Sequence, residues 1–332
     1  MSLPQTMTLI EITEPGGPEV LQPRDVPMPT VAAGEVLIRV HAAGVNRPDV
    51  IQRSGKYPMK PGMSPIPGLE VAGEVVAIGK GVSEFTVGDR VCALTNGGGY
   101  AQYCIAPASQ TLPIPDDLDW IKAAAIPETF FTVWANLFDI GSASKGQRAL
   151  IHGGTSGIGT TALMLCREFG VEAYATAGSE EKCEAIRKLG GKPINYREQD
   201  FAKVIEEKTA GKGVNVILDI MGGSYFNSNV SALGMEGRLV MLGFLGGARA
   251  NDVDLLAIMS KRASITGSLL RSRTKEEKAA IAQGLYEYVW PVLSAGRCLP
   301  IIDKVYPFTD AAQAHARMEA GDHIGKIVLH MD

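Results

Sequence analysis

The sequence predicts an α/β protein in which short strands and turns fill the first 125 or so residues and a doubly wound parallel sheet of six strands follows. Three observations carry this. The opening region is rich in Gly and Pro, with β-branched runs such as "EVLIRVHAAGV" and "GEVVAIG" set between turn signals, an all-β texture. From about residue 127 apolar runs of five or six residues alternate with helical patterns, the mark of βαβ units. Between two of these elements lies "IHGGTSGIG" (151–159), four glycines in nine residues.

The six strands are placed at "RALIH" (148–152), "EAYATA" (172–177), "PINY" (193–196), "VNVILD" (214–219), "RLVML" (238–242) and "SITGS" (264–268). Between the first two, Ala162, Leu165, Cys166 and Phe169 recur at helical spacing and predict one buried stripe. After Ser268 come a helix of about 15 residues from Lys275, irregular chain, a short helix over 311–320 and a last strand "KIVLH".

At 332 residues the chain is long enough for two cores, and 45% hydrophobic with 20% charged residues leaves no room for a long disordered tail. A net charge of −4 with no basic run argues against a nucleic-acid surface and for a small-molecule partner. No apolar run reaches the roughly 18 residues that span a bilayer, and "MSLPQT" resembles no signal peptide, so a cytoplasmic protein without a membrane partner is expected. Cys92, Cys104, Cys166, Cys183 and Cys298 are odd in number and scattered, which predicts reduced, packed thiols.

In the glycine turn, Gly154-x-Ser156-x-x-Gly159 stands where G-x-G-x-x-G would bind a dinucleotide. Gly154 would permit the tight turn and Gly159 the close approach of helix to strand, while the N–H groups of Thr155, Ser156, Gly157 and Ile158 face a pyrophosphate at the helix N-terminus. The plainer alternative is a turn that only connects two elements. An acidic residue about 20 positions on would select NAD, but Gly178 stands there, in "TAGSEEK". Ser179, the first amides of the next helix and Lys182 can then receive a 2′-phosphate, which points to NADPH. Glu180 and Glu181 would oppose it unless turned to solvent. Tyr196 is positioned to cover the adenosine end or simply to pack.

Taken together, "GLEVAGEVVAIGKGV" (68–82), "VGDRV" (87–91), "AAAIPETFFTVW" (123–134), the glycine turn, "LDIMGG" (218–223) and "GKIVL" resemble the medium-chain dehydrogenase/reductase superfamily over essentially the whole chain. Within it, "VNRPDVIQRSGKY" (45–57) and "GSLLRSR" (267–273) are most similar to the zinc-free NADPH quinone oxidoreductases related to zeta-crystallin, and closest to their tumour-suppressor-inducible branch. The resemblance implies a GroES-like β domain over 1–127 for substrate and catalysis, a Rossmann domain over 128–267 for NADPH, a segment 268–332 returning to the first domain, and a homodimer paired through the Rossmann sheets.

The family's alcohol dehydrogenases hold catalytic zinc at positions that here read Asn46, Leu69 and Glu128, and Leu69 cannot donate, so a metal-free protein is expected. The five histidines show no H-x-x-x-H spacing. Without a Lewis acid the fitting acceptor is a quinone or conjugated enone, whose reduced anion is already delocalised. Asn46 and Tyr57 are the candidates at the acceptor, although Tyr57 could instead close a small core. By resemblance, Thr132 should lie near the nicotinamide, Gly243, Phe244 and Leu245 should border its ribose or carboxamide, and Leu269 and Leu270 should contact it unless they merely pack. Lys326 is expected at the phosphates or as a surface lysine. Two other readings stay open: an enone or enoyl-thioester reductase, and a nonenzymatic, crystallin-like NADPH-binding protein. A Ser/His/Asp hydrolase is excluded, because "TSGIG" does not present its serine at the apex of G-x-S-x-G.

Overall fold

A computed structural model describes residues 3–331. The chain divides into two units, Met1–Phe131 with Arg271–Asp332, and Thr132–Leu270.

In the first unit the strands are β1 (Thr6–Ile12), β2 (Leu21–Pro27), β3 (Glu35–Val45), β4 (Glu70–Ile78), β5 (Arg90–Leu94), β6 (Tyr103–Pro107) and β7 (Thr111–Pro113), with short helices α1 (Arg47–Arg53), α2 (Trp120–Ala124) and α3 (Pro127–Val133), the last running on to the unit boundary. β1 and β2 form an antiparallel ribbon. β3 pairs antiparallel with β4 and β6 and is buried almost throughout, because protein covers both its faces. The helices depart from the all-β texture of the sequence. α1 and α2 are seven and five residues long, too short for a 3.6-residue repeat to show.

The second unit is a doubly wound sheet. β8 (Arg148–Ile151), α4 (Gly157–Phe169), β9 (Glu172–Ala177), α5 (Glu180–Lys188), β10 (Lys192–Asn195), α6 (Phe201–Lys208), β11 (Val214–Asp219), α7 (Phe226–Ala232), β12 (Leu233–Met241), α8 (Leu255–Ser260) and β13 (Ser264–Gly267) alternate. Six strands lie in the order β10-β9-β8-β11-β12-β13, every neighbouring pair parallel. The winding reverses between β8 and β11, the switch point where such sheets bind ligands at their carboxyl ends. β12 begins at Leu233 rather than 238, since the ladder with β11 shifts register between Val214 and Val216 and Glu236 takes a positive φ of 59°. α4 is buried on more than the expected stripe: Thr160 through Cys166 are all covered, while partly exposed Phe169 meets Trp134 and Phe138 at centroid distances of 5.7 and 5.2 Å.

The chain then returns to the first unit through α9 (Lys275–Gly284), α10 (Trp290–Ser294), β14 (Ile302–Pro307), α11 (Ala311–Ala320) and β15 (Lys326–His330). β15 pairs antiparallel with β3, Ile327 opposite Val45, and parallel with β14, so the last strand of the chain sits inside the sheet built from β3 to β7.

His152, immediately after β8, is buried. Its ring nitrogens meet Thr176 Oγ1 at 3.2 Å and Asn229 Oδ1 at 2.7 Å, and its edge packs on Phe201 and Tyr225. Burial pushes its pKa down from 6.5 to about 4, although the Asn229 contact opposes this. The folded chain therefore keeps this imidazole neutral where the unfolded chain protonates it. Its contribution is complete above pH 6.5 and is lost as pH falls toward 4. We expect His152→Gln to remove about 2 kcal/mol of the stability lost between pH 7 and 5, read as a shallower pH dependence in denaturant unfolding. An unchanged slope would show that His152 does not titrate in this way.

Candidate active site

In the second unit the glycine turn is dictated by contact. Gly153 supplies the left-handed conformation, φ +71°, that was expected of Gly154. Gly154 is required for a different reason: a Cβ there would meet Ala175 Cβ at 2.6 Å and Ile186 Cδ1 at 2.8 Å. A Cβ on Gly159 would stand 2.2 Å from the Gly153 carbonyl oxygen, so the first turn of α4 can lie against the turn only without a side chain. Ser156 caps α4, accepting from the Gly159 amide at 3.0 Å and donating to Gly153 O at 2.8 Å. Its hydroxyl is thus held by backbone. Thr155 is buried, and Gly157 and Ile158 open the helix partly exposed.

At the end of β9, any side chain on Gly178 would run into Tyr196, whose hydroxyl lies 2.5 Å from the Cβ position. Tyr196 is itself 45% exposed and so offers a ring face beside that glycine. Ser179 caps α5 by accepting from the Lys182 amide at 3.3 Å. Glu180 points to solvent and pairs with Arg187 at 2.7 Å, and Glu181 is exposed. Elsewhere in this unit Thr132 is buried and its carbonyl accepts from Asn136 Nδ2 at 2.7 Å. Gly243 is partly exposed, Phe244, Leu245 and Leu269 are more than half exposed, and Leu270 is buried. Three bulky apolar side chains thus face away from the core of this unit.

In the first unit a buried polar knot surrounds Asn46. The Asn46 backbone amide donates to Asp49 Oδ2 at 2.9 Å and its carbonyl accepts from the Asp49 amide at 3.0 Å, while Asp49 Oδ1 accepts from the Gly68 amide at 3.0 Å. Asn46 Nδ2 donates to Glu70 Oε1 at 2.9 Å, and Asn46 Oδ1 accepts from Lys326 Nζ at 2.6 Å. Lys326 Nζ also reaches Glu70 Oε1 at 2.6 Å and Val45 O at 3.1 Å. Glu70 Oε2 accepts from the backbone amide of Glu128 at 2.8 Å. Lys326 is 3% exposed and all three of its protons are committed here, so it is neither a surface lysine nor, as expected, a contact for phosphate. Asn46 likewise spends both ends of its amide on the protein and acts as a strut.

Tyr57 lies under the Arg271 guanidinium, 4.9 Å from ring centroid to Cζ. Burial raises its phenol above the ordinary value, with Arg271 opposing. Arg271 is anchored in turn by Gln52 Oε1 at 2.6 Å and Asn96 O at 2.9 Å, and buried Lys278 donates to Asn96 Oδ1 at 2.6 Å. Burial shifts Asp49 up to about 6, Glu128 up to about 8 and Lys278 down to about 8. For Glu128 the Glu70 carboxylate adds to the rise.

The sequence drew attention to Asn46, Tyr57 and Glu128 but not to Asp49, Glu70, Arg271 or Lys278. Glu70 had a readable signal, a carboxylate at the head of an apolar strand; Lys278 lies among the charges of "KEEK" and had none. Zinc does not fit. Among the described residues no group of three or more His, Cys, Asp or Glu side chains could hold a metal ion, and Leu69, 1% exposed, supplies no donor.

Removing one member of the buried pair should be costly. Lys326→Met strands the Glu70 carboxylate, and we expect a loss of about 3–5 kcal/mol. The double variant Glu70→Gln/Lys326→Met should lose clearly less than the sum of the single changes in a denaturant-unfolding cycle. Additive losses would show that the two groups are not coupled.

Comparison with known proteins agrees with this architecture. The alcohol dehydrogenase GroES-like domain family matches residues 32–116 and the zinc-binding dehydrogenase family matches residues 189–329. The chain is 36% identical over 330 residues to quinone oxidoreductase from Rattus norvegicus and 34% identical over 327 residues to that from Homo sapiens, covering 97% of both chains in each case. Among solved structures it is similar to a mycobacterial protein crystallised with NADPH (32% identity, TM-score 0.86, 98% of this chain and 100% of that one). It is similar also to the CurK enoyl reductase (27% identity, TM-score 0.85, 99% of this chain and 100% of that one). With a GroES-like unit, a six-stranded Rossmann sheet and full-length likeness to these enzymes, the chain belongs to the quinone oxidoreductase family of the medium-chain dehydrogenases/reductases.

Proposed function

We propose that this oxidoreductase is an NADPH-dependent, zinc-independent quinone oxidoreductase acting on a quinone or similar conjugated carbonyl acceptor. The observation that carries the reading is the pairing of the glycine turn after β8 with an uncharged Gly178–Ser179 end on β9, where an acidic residue would have favoured NADH. Gly154 and Gly159 leave room for a pyrophosphate, the first amides of α4 face it, and Ser179 and Lys182 receive the 2′-phosphate while Tyr196 covers the adenine. Thr132, Gly243, Phe244, Leu245, Leu269 and Leu270 border the nicotinamide end, and Tyr57 contacts the acceptor with Asn46 bracing the wall behind it. When bound, the dihydronicotinamide supplies a hydride. The chain's task is to align the acceptor and exclude water.

The likeness to an enoyl reductase keeps an activated double bond as the second substrate class. Quinone and enoyl-thioester turnover, measured side by side, separate the two. Five free, buried cysteines fit a reducing compartment and so a cytoplasmic enzyme. A homodimer joined through the second unit fits the edge position of β13 and the exposed Leu255, Leu256 and Met259 on α8.

We expect Lys182→Ala to weaken NADPH binding roughly 10- to 100-fold while leaving NADH within a factor of about two, read by fluorescence titration. Equal losses for both cofactors would remove Lys182 from the 2′-phosphate site. For the dimer, Leu256→Glu is expected to convert the light-scattering mass from two chains to one; an unchanged dimer would move the interface elsewhere.

A further inference from the structure

We propose that Glu128 is the proton donor of this reaction, its carboxylic acid delivering a proton to the acceptor oxygen that hydride transfer leaves negative. The inference rests on the quinone reductase reading above.

The argument is one of elimination within a single cluster. Glu70 on β4 accepts from Asn46, Lys326 and the Glu128 amide. Lys326 on β15 has given all its protons to Val45, Asn46 and Glu70. Asp49 on α1 accepts two backbone amides and is wholly buried. Lys278 on α9 is 1% exposed and gives two of its protons to Asn96 Oδ1 and the Arg271 carbonyl, so it is closed off from an acceptor. Tyr57 lies against Arg271, and burial makes its phenol a poorer acid than usual. Glu128 differs from all of these. Among the described residues its carboxyl has no hydrogen bond or ion pair, and the residue keeps a partly exposed surface. Burial first, and then the Glu70 carboxylate beside it, keep the proton on Glu128 against the opposing pull of Lys326 and Lys278, in keeping with its rise to about 8. An unpartnered acid that stays protonated at neutral pH is what general acid catalysis needs.

The electrons and atoms balance. A hydride from NADPH brings two electrons and one hydrogen to the quinone, forming one bond and leaving a negative oxygen. The Glu128 O–H bond breaks and an O–H bond forms on that oxygen, giving the hydroquinone. Solvent then reprotonates the carboxylate.

Two measurements test this. Infrared difference spectroscopy on the cofactor-free protein should show the carbonyl stretch of a protonated carboxylic acid at pH 7 that is missing in Glu128→Gln and fades as pH rises through about 8. In kinetics, Glu128→Gln should lower kcat/KM for a quinone by about 100-fold or more, keep NADPH affinity, and abolish the alkaline fall in rate that the wild type should show, while Glu128→Asp recovers part of the rate. The proposal is overturned if Glu128 is ionised at pH 7, if Glu128→Gln is as active as the wild type, or if its loss of rate follows a loss of NADPH binding. The two readings fail separately. A wild type inert toward every quinone removes the parent function, whereas an active wild type with an equally active Glu128→Gln removes Glu128 alone.

Discussion

The first unit is organised around one buried ion pair. Lys326 and Glu70, 3% and 0% exposed, meet at 2.6 Å with the Asn46 amide bound to both. Two charges taken out of water are tolerable only when every remaining proton and lone pair finds a partner, and here Val45, Asn46 and the Glu128 amide provide them. The arrangement also fixes registry, because β15, β3 and β4 must align for the three side chains to meet. Even the backbone is cut to fit: a Cβ on Gly44 would stand 2.0 Å from Glu70 Oε1.

The second unit solves a different problem, close approach of its own backbone where no Cβ fits. Gly153, Gly154 and Gly159 act through three distinct restraints: a left-handed φ, the wall formed by Ala175 and Ile186, and the contact of α4 with the preceding carbonyl. Gly178 follows the same logic under Tyr196. Protein atoms exclude side chains at these four positions, while bulky apolar groups, Phe244, Leu245 and Leu269, stand more than half exposed.

Much of this was legible beforehand because periodicity and turn chemistry are local. β9 and β11 coincide with the expected 172–177 and 214–219, and the other four strands of that sheet lie where expected apart from their ends. The early start of β12 escaped because it depends on a neighbour distant in sequence, a register shift against β11. The polar knot escaped for the same reason. Nothing near Lys326 in sequence announces that it will meet Asn46, 280 positions earlier. A charged residue in a short strand pattern reads as a surface position until the partner strand is known.

That long separation has a consequence for biosynthesis. The second unit is contiguous, so once its last strand has left the ribosome it holds everything its sheet requires. The first unit does not. Until β15 emerges, the end of β3 at Ala42–Val45 has one edge unpaired and Glu70 waits without its counter-ion, leaving the nascent N-terminal portion with a partly open strand and an unneutralised carboxylate for most of translation. Chaperone demand during synthesis should therefore fall on the part of the chain made first.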